Sequence, residues 1–243
     1  MSGHSKWHNI QARKGKQDAI KGNVFSKYAK QIMVCAKMGG GDPVMNFSLR
    51  ILVEKAKASG MPKDNIERAI KRGTGEAEGV QVEEAIYEAY GPGGVAILIK
   101  TITDNKNRTI SEIKHLLSES GGSLGGAGGV MWMFEKCGLI VISSEVLASN
   151  KINREELEMK MIEIGTEDIW EEDGMVYFKI KLDGLKHALD LVKELNLETE
   201  RSGVEYIAKD KVKVDSNIEE RLKRLFGALG ENDDVEDYYT NAG

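Results

Sequence analysis

Cysteine is nearly missing from this chain. Cys35 and Cys137 are its two cysteines, each inside an apolar segment, which predicts reduced core residues rather than a disulfide framework. Long apolar runs are missing as well: none approaches the roughly 18 residues of a membrane span, and the first residues lack the apolar core of a secretory signal. The expectation is a soluble, cytoplasmic protein with no membrane partner. Histidine is scarce, with four in the chain. His4 and His8 have no further ligand type close by, and His115 and His187 fall in helical segments among ordinary residues. No C-x-x-C, H-E-x-x-H or G-x-S-x-G spacing occurs. The acidic runs Glu171-Glu172-Asp173 and Asp233-Asp234 fall at turns, where solvated carboxylates are commonplace. These absences predict a protein that is not an enzyme and holds neither metal nor cofactor.

What is present is charge, unevenly spread. A composition 41% apolar and 30% charged suits a folded soluble chain, not a disordered one. The net charge of −5 conceals two opposed parts. Up to Gly73 the chain holds 15 of its 34 basic residues and 5 of its 39 acidic ones, or +10, so the remainder carries −15. This asymmetry points to a polyanion-binding segment joined to a body that repels polyanions. The acidic body is expected to orient the complex or to meet a protein partner.

The length of 243 residues predicts two or three domains. Residues before about Lys16 are polar and basic without sustained periodicity and read as an arm. From there to Met38 a helix puts Val24, Phe25, Tyr28, Ile32, Cys35 and Ala36 on one side and Lys27, Lys30, Gln31 and Lys37 on the other, with Val34 as the exception. It ends at Gly39-Gly40-Gly41. A second helix runs from about Phe47 to Ser59, and a third starts at Pro62 and ends before Gly73. Ile86–Tyr90 and Val95–Thr101 read as a hairpin around Gly91-Pro92-Gly93-Gly94. After the polar loop Asp104–Arg108, Thr109 and Glu112 suggest a capping box. Gly121–Gly129 reads as a flexible crossover leading into a third strand at Val130–Phe134. No Gly-Lys-Ser/Thr follows that glycine stretch, so a phosphate loop does not fit.

Further on, strand Leu139–Ser143, a helix capped by Asn153, strands Glu167–Trp170 and Met175–Ile180, a helix around Leu185–Leu195 and strand Val204–Ala208 follow in the order βαββαβ, that of a ferredoxin-like domain. A helix begun by Ser216 and a strand at Val235–Tyr239 close the chain. The expected class is α+β: a three-helix bundle over 1–78, an α/β domain over 79–134 plus 209–243, and a ferredoxin-like domain over 135–208 inserted into it.

The candidate nucleic-acid contacts are Lys6, Arg13, Lys14, Lys16, Lys21, Lys27 and Lys30 in the arm and first helix, with Trp7 as a stacking side chain among them. Such cations supply phosphate affinity without reading sequence. Lys106 and Arg108, beside a helix N-terminus, could hold a phosphate in a second place, and the same loop also suits plain capping.

Several motifs together resemble the YebC family: G-H-S-K-W at the start, G-G-G-D-P at 39–43, M-P-K-D-N-I-E-R-A-I-K at 61–71, Y-G-P-G-G-V-A at 90–96, T-D-N-K-N-R-T at 103–109 and G-G-S-L-G at 121–125, with D-D-V near the end. The resemblance runs nearly the full length. It implies a three-helix N-terminal domain and two α/β domains, and a DNA-binding transcriptional regulator in the bacterial cytoplasm. It implies an alternative too, because the family includes a mitochondrial translational activator and a ribosome-associated role has been proposed for bacterial members: a translation factor that grips ribosomal RNA and eases synthesis of difficult peptides.

Overall fold

A computed structural model describes residues 21–78 and 81–243. Among the described residues three helices come first: α1 (Lys21–Gly39), α2 (Phe47–Ala58) and α3 (Lys63–Thr74). Ile32, Ala36, Leu49, Val53, Ala56, Ile66 and Ala69 form their common core. The turn between α1 and α2 is built on Asn46. Its side-chain oxygen caps α2 at Leu49 N–H, while its amide donates to the carbonyls of Cys35 and Gly40. Gly39 leaves room for this side chain, since a Cβ there would lie 2.6 Å from the Asn46 amide nitrogen. The third helix does not stop at Gly73. That residue lies inside α3, where a Cβ would fall 2.4 Å from the Met33 carbonyl oxygen of α1, so its lack of a side chain serves close helix packing. Gly75, in the left-handed conformation, ends the helix.

β1 (Glu83–Tyr90) and β2 (Ala96–Thr103) form the expected hairpin, with Tyr90 opposite Ala96. α4 (Lys106–Glu119) follows. Its cap is Asn105, which accepts from Arg108 N–H. Thr109, expected in a capping box, is instead a fully buried residue of the first turn. β3 is the pair Ser123–Leu124, inside the glycine stretch, and it pairs with Ala89 and Tyr90. After the second sheet, α8 (Ser216–Glu231) and β8 (Val235–Thr240) complete the first. The order is β3-β1-β2-β8, all antiparallel. β2, at the centre, is buried at seven of its eight positions, as a strand covered on both faces should be. α8 begins at Ser216 as expected, and its cap is Asp215.

The expected strand at Val130–Phe134 does not form. Met131–Met133 is a single 3-10 turn, and Phe134 opens the ten-residue β4 (Phe134–Ser143) of the other sheet. Nor is the glycine stretch loose. The Glu88 carboxylate accepts the N–H groups of Gly128, Val130 and Met131 at 2.6, 2.6 and 2.7 Å, and the Tyr90 hydroxyl donates to Gly129. Burial alone would raise the Glu88 pKa, but these three donors outweigh it and lower it.

The second sheet carries β4, the short α5 (Ser144–Ser149), α6 (Arg154–Ile164), β5 (Thr166–Glu172), β6 (Met175–Ile180), α7 (Leu185–Glu194) and β7 (Arg201–Ala208). Its order is β5-β6-β4-β7, with every pairing antiparallel. This is the ferredoxin-like arrangement. The β5–β6 turn uses positive φ at Asp173 and Gly174, as a tight hairpin requires. By packing, Trp132–Lys213 with Asn241–Gly243 form one compact unit. The bundle and the first sheet, up to Met131 and over Val214–Thr240, belong to the other. No described helix is long and apolar enough to cross a membrane.

Candidate nucleic-acid interface

The ten residues expected at an interface divide into three groups. Lys6, Trp7, Arg13, Lys14 and Lys16 lie outside the described residues. Lys21 opens α1. The remaining four are all described, and each is engaged by another group of the protein.

Two of them, Lys30 and Arg108, meet at Asp234, just before β8 and 2% exposed. Lys30 Nζ donates to Asp234 Oδ1 at 2.6 Å and to the Asp233 carbonyl at 3.0 Å. Arg108 reaches both Asp234 carboxylate oxygens, at 2.8 and 3.0 Å, and Asp104 at 2.9 Å. Thr109 and Thr103 hydroxyls complete the shell at 2.7 and 3.2 Å. Lys27 donates to the Gly230 carbonyl at the end of α8, and burial lowers its pKa against the pull of Asp233. Lys106 pairs with Glu83 at 2.7 Å. The side of α1 with the pattern of a solvent face is therefore packed against the α8–β8 turn. Val34, the exception on that side, is 7% exposed and packs with Val82 and Ile102.

Burial by itself would raise the pKa of Asp234. The hydrogen bonds from Lys30, Arg108 and Thr109 overcome it and bring the pKa to about 2. A carboxylate so stabilised is too weak a base for proton abstraction near neutral pH. Cys137, pushed up to about 12 by burial, is equally unsuited to nucleophilic work. At the end of the glycine stretch the N–H groups of Gly128, Val130 and Met131 are taken by Glu88 and do not face a phosphate. A phosphate approaching Lys30 would have to displace a buried carboxylate first, whereas Arg108 meets Asp234 with one face and keeps the other in water. The chemistry of this cluster is that of a clasp.

Asp234 was hidden in the sequence behind its neighbours. An Asp-Asp pair before a strand has the pattern of solvated turn acids, yet Asp233 is exposed and Asp234 is not. The available signal was the T-D-N-K-N-R-T motif at 103–109 together with D-D-V at 233–235: Thr103, Arg108, Thr109 and Asp234 all belong to one cluster.

A second set of cations behaves differently. On α3, Arg68, Lys71 and Arg72 are exposed. None of them has an acidic partner among the described residues, where the ion pair within this helix joins Lys63 to Glu67. Arg68 and Arg72, one turn apart, stand at the mouth of a groove between α1 and α3 of about 370 Å³. Phe25 and Met33 of α1, Met61 before α3, and Asn65 also line it. These α3 cations were legible as charge but not as a site, since Lys71 and Arg72 also suit the last turn of a helix.

Two family models match the chain, the TACO1/YebC protein N-terminal domain over residues 5–76 and the TACO1/YebC second and third domain over 82–242. The chain belongs to the TACO1/YebC family. A relative from Pseudothermotoga lettingae, named a probable transcriptional regulatory protein, is 46% identical over 99% of this chain and 93% of its own length. One of the same description from Caldanaerobacter subterraneus is 42% identical over 99% and 98%. Among solved structures, a conserved hypothetical protein from Aquifex aeolicus superposes with a TM-score of 0.82 at 37% identity, covering 93% of this chain and 91% of that one. A TACO1/YebC member thus carries the Asp234 clasp and the open α3 cations on one compact unit.

Proposed function

We propose that this chain is a non-enzymatic, cytoplasmic nucleic-acid-binding protein that acts as a transcriptional regulator through its basic helical region. The observation that carries the proposal is the set of exposed cations on α3, Arg68, Lys71 and Arg72, which form no ion pair among the described residues. They lie in the part of the chain whose net charge is positive, and phosphate affinity without sequence reading is what such groups supply. Regulatory function is supported by the names of the relatives.

A second reading, a translation factor gripping ribosomal RNA, is favoured by one feature of α3. Its exposed side interleaves Asp64 and Glu67 with the cations, so a regular duplex laid along it would meet acids as well as bases. An irregular RNA backbone avoids them.

The test is binding of the full chain to duplex DNA and to structured RNA across a salt series. Replacing Arg68, Lys71 and Arg72 together by Gln should lower the slope of log K against log salt on duplex DNA by about 0.9 for each phosphate no longer neutralised. Salt-independent binding, or none to either polymer, would overturn the proposal. A clear preference for RNA, with co-sedimentation on ribosomes, would select the second reading.

A further inference from the structure

The groove between α1 and α3 has a composition that phosphate gripping alone does not need. Its floor is apolar, with Met61 and Ala69 buried and Phe25, Ala29 and Met33 partly so. Its rim is polar and cationic: Ser26 on α1, and Asn65, Arg68 and Arg72 on α3. None of those four side chains has a hydrogen-bond or ion-pair partner among the described residues. The two helices touch where Gly73 meets the Met33 carbonyl, and the groove lies beside that contact, along Ala29, Asn65 and Ala69. A volume of about 370 Å³ is within the range of pockets that hold small organic groups.

Resting on the nucleic-acid reading above, we propose that this groove takes one unstacked nucleobase of a single strand. Arg68 and Arg72 hold its flanking phosphates, the Phe25, Met33 and Met61 side chains lie against its faces, and Asn65 meets its edge. Three arguments support this. Two guanidinium groups one helical turn apart, without an ion-pair partner among the described residues, complement a phosphate backbone. An apolar slot beneath them suits a flat ring, which a stacked duplex does not offer. An amide carries both donor and acceptor, as a base edge does. An acidic peptide would satisfy the arginines but would leave the apolar floor without a ring to cover it.

The experiment measures anisotropy of the full chain with a labelled single strand and with a duplex of the same sequence at one salt concentration, with polyglutamate as competitor. The single strand should bind more tightly. Ala29→Trp, which fills the groove and leaves every charge in place, should weaken single-strand binding by about tenfold or more, the scale of removing one stacked base, and leave duplex binding unchanged. Asn65→Ala should change the ranking of homopolymer strands. Arg68→Gln with Arg72→Gln should reduce the single-strand salt slope by about 0.7 for each phosphate no longer held.

Equal binding of both polymers, unaffected by Ala29→Trp, would overturn the groove and leave the electrostatic reading standing. Binding of neither polymer would overturn both. Polyglutamate competing as well as unlabelled strand would overturn the base slot in favour of an acidic protein segment. Should Ala29→Trp lose its cooperative melt, the other two variants decide, and unchanged single-strand binding in both overturns the proposal.

Discussion

Two sets of cations sit on the same helical bundle and meet opposite fates. Those of α1, Lys27 and Lys30, turn to the end of α8 and the start of β8 and are bound there by a carbonyl and a buried carboxylate. Those of α3, Arg68, Lys71 and Arg72, stay exposed without acidic partners among the described residues. The residue types are the same and the local sequences are similarly basic. What differs is the neighbour each helix face meets. A buried ion pair is costly to break from one side, because the charge left behind has no water. An exposed cation adds little to stability and keeps its charge for a ligand. The first set should therefore report in folding measurements and the second in binding measurements.

The largest expected effect is at Asp234. Asp234→Ala strands Lys30 and one face of Arg108, and should destabilise the unit that holds them by about 3–5 kcal/mol, read as a drop in urea midpoint at unchanged slope. Lys30→Met leaves Asp234 with Arg108 and the threonines, and should cost about 2–3 kcal/mol. It should barely alter affinity for nucleic acid. A Lys30→Met protein that folds normally and binds poorly would dissolve the distinction between the two sets.

Acid should act on the first set alone. The folded-state pKa of Asp234 is about 2, below its ordinary value of 3.8. Its contribution is fully present above about pH 4 and is lost as pH falls toward 2, on the order of 2 kcal/mol. Asp234→Asn should flatten that part of a stability–pH profile; an unchanged profile would place the acid sensitivity elsewhere. Gly73→Ala, whose new Cβ would press on the Met33 carbonyl, should cost about 1–3 kcal/mol from overpacking, partly offset by better helix propensity. The smallest stability effect is expected from Arg72→Gln, within about 0.5 kcal/mol, while its salt slope on duplex DNA falls by about 0.9. That inverse ordering of stability and binding is the sharpest form of the comparison.

Much of the architecture was legible because it rests on local signals. The three helices and the Gly91–Gly94 hairpin follow from periodicity and turn chemistry, and the βαββαβ order identified the ferredoxin-like sheet from element sequence alone. The misplaced features share another origin. Gly73 looked like a helix end because glycine usually is one, whereas its role depends on Met33 forty residues away. The strand expected at Val130–Phe134 lost to a 3-10 turn that begins beside the N–H groups held by Glu88. Thr109 looked like a cap and became a buried ligand of Asp234.

The candidate site was less legible than the fold. The uneven charge could be counted, but counting does not tell a paired cation from an open one. Lys27, Lys30, Lys106 and Arg108 have the charge and position of interface residues, and all four have partners within the protein. Arg68 and Arg72 were visible as part of the basic count, and Arg72 also as a last-turn residue of a helix.

From the sequence alone come the helical and strand segments, the uneven distribution of charge and the family. These depend on neighbours within a few residues of each other, or on sums over the whole chain. Which cations remain available to a ligand was decided by the tertiary structure. That choice turns on the packing of α1 against residues some two hundred positions later, and burial there makes a carboxylate hold its cations far more firmly than water would allow.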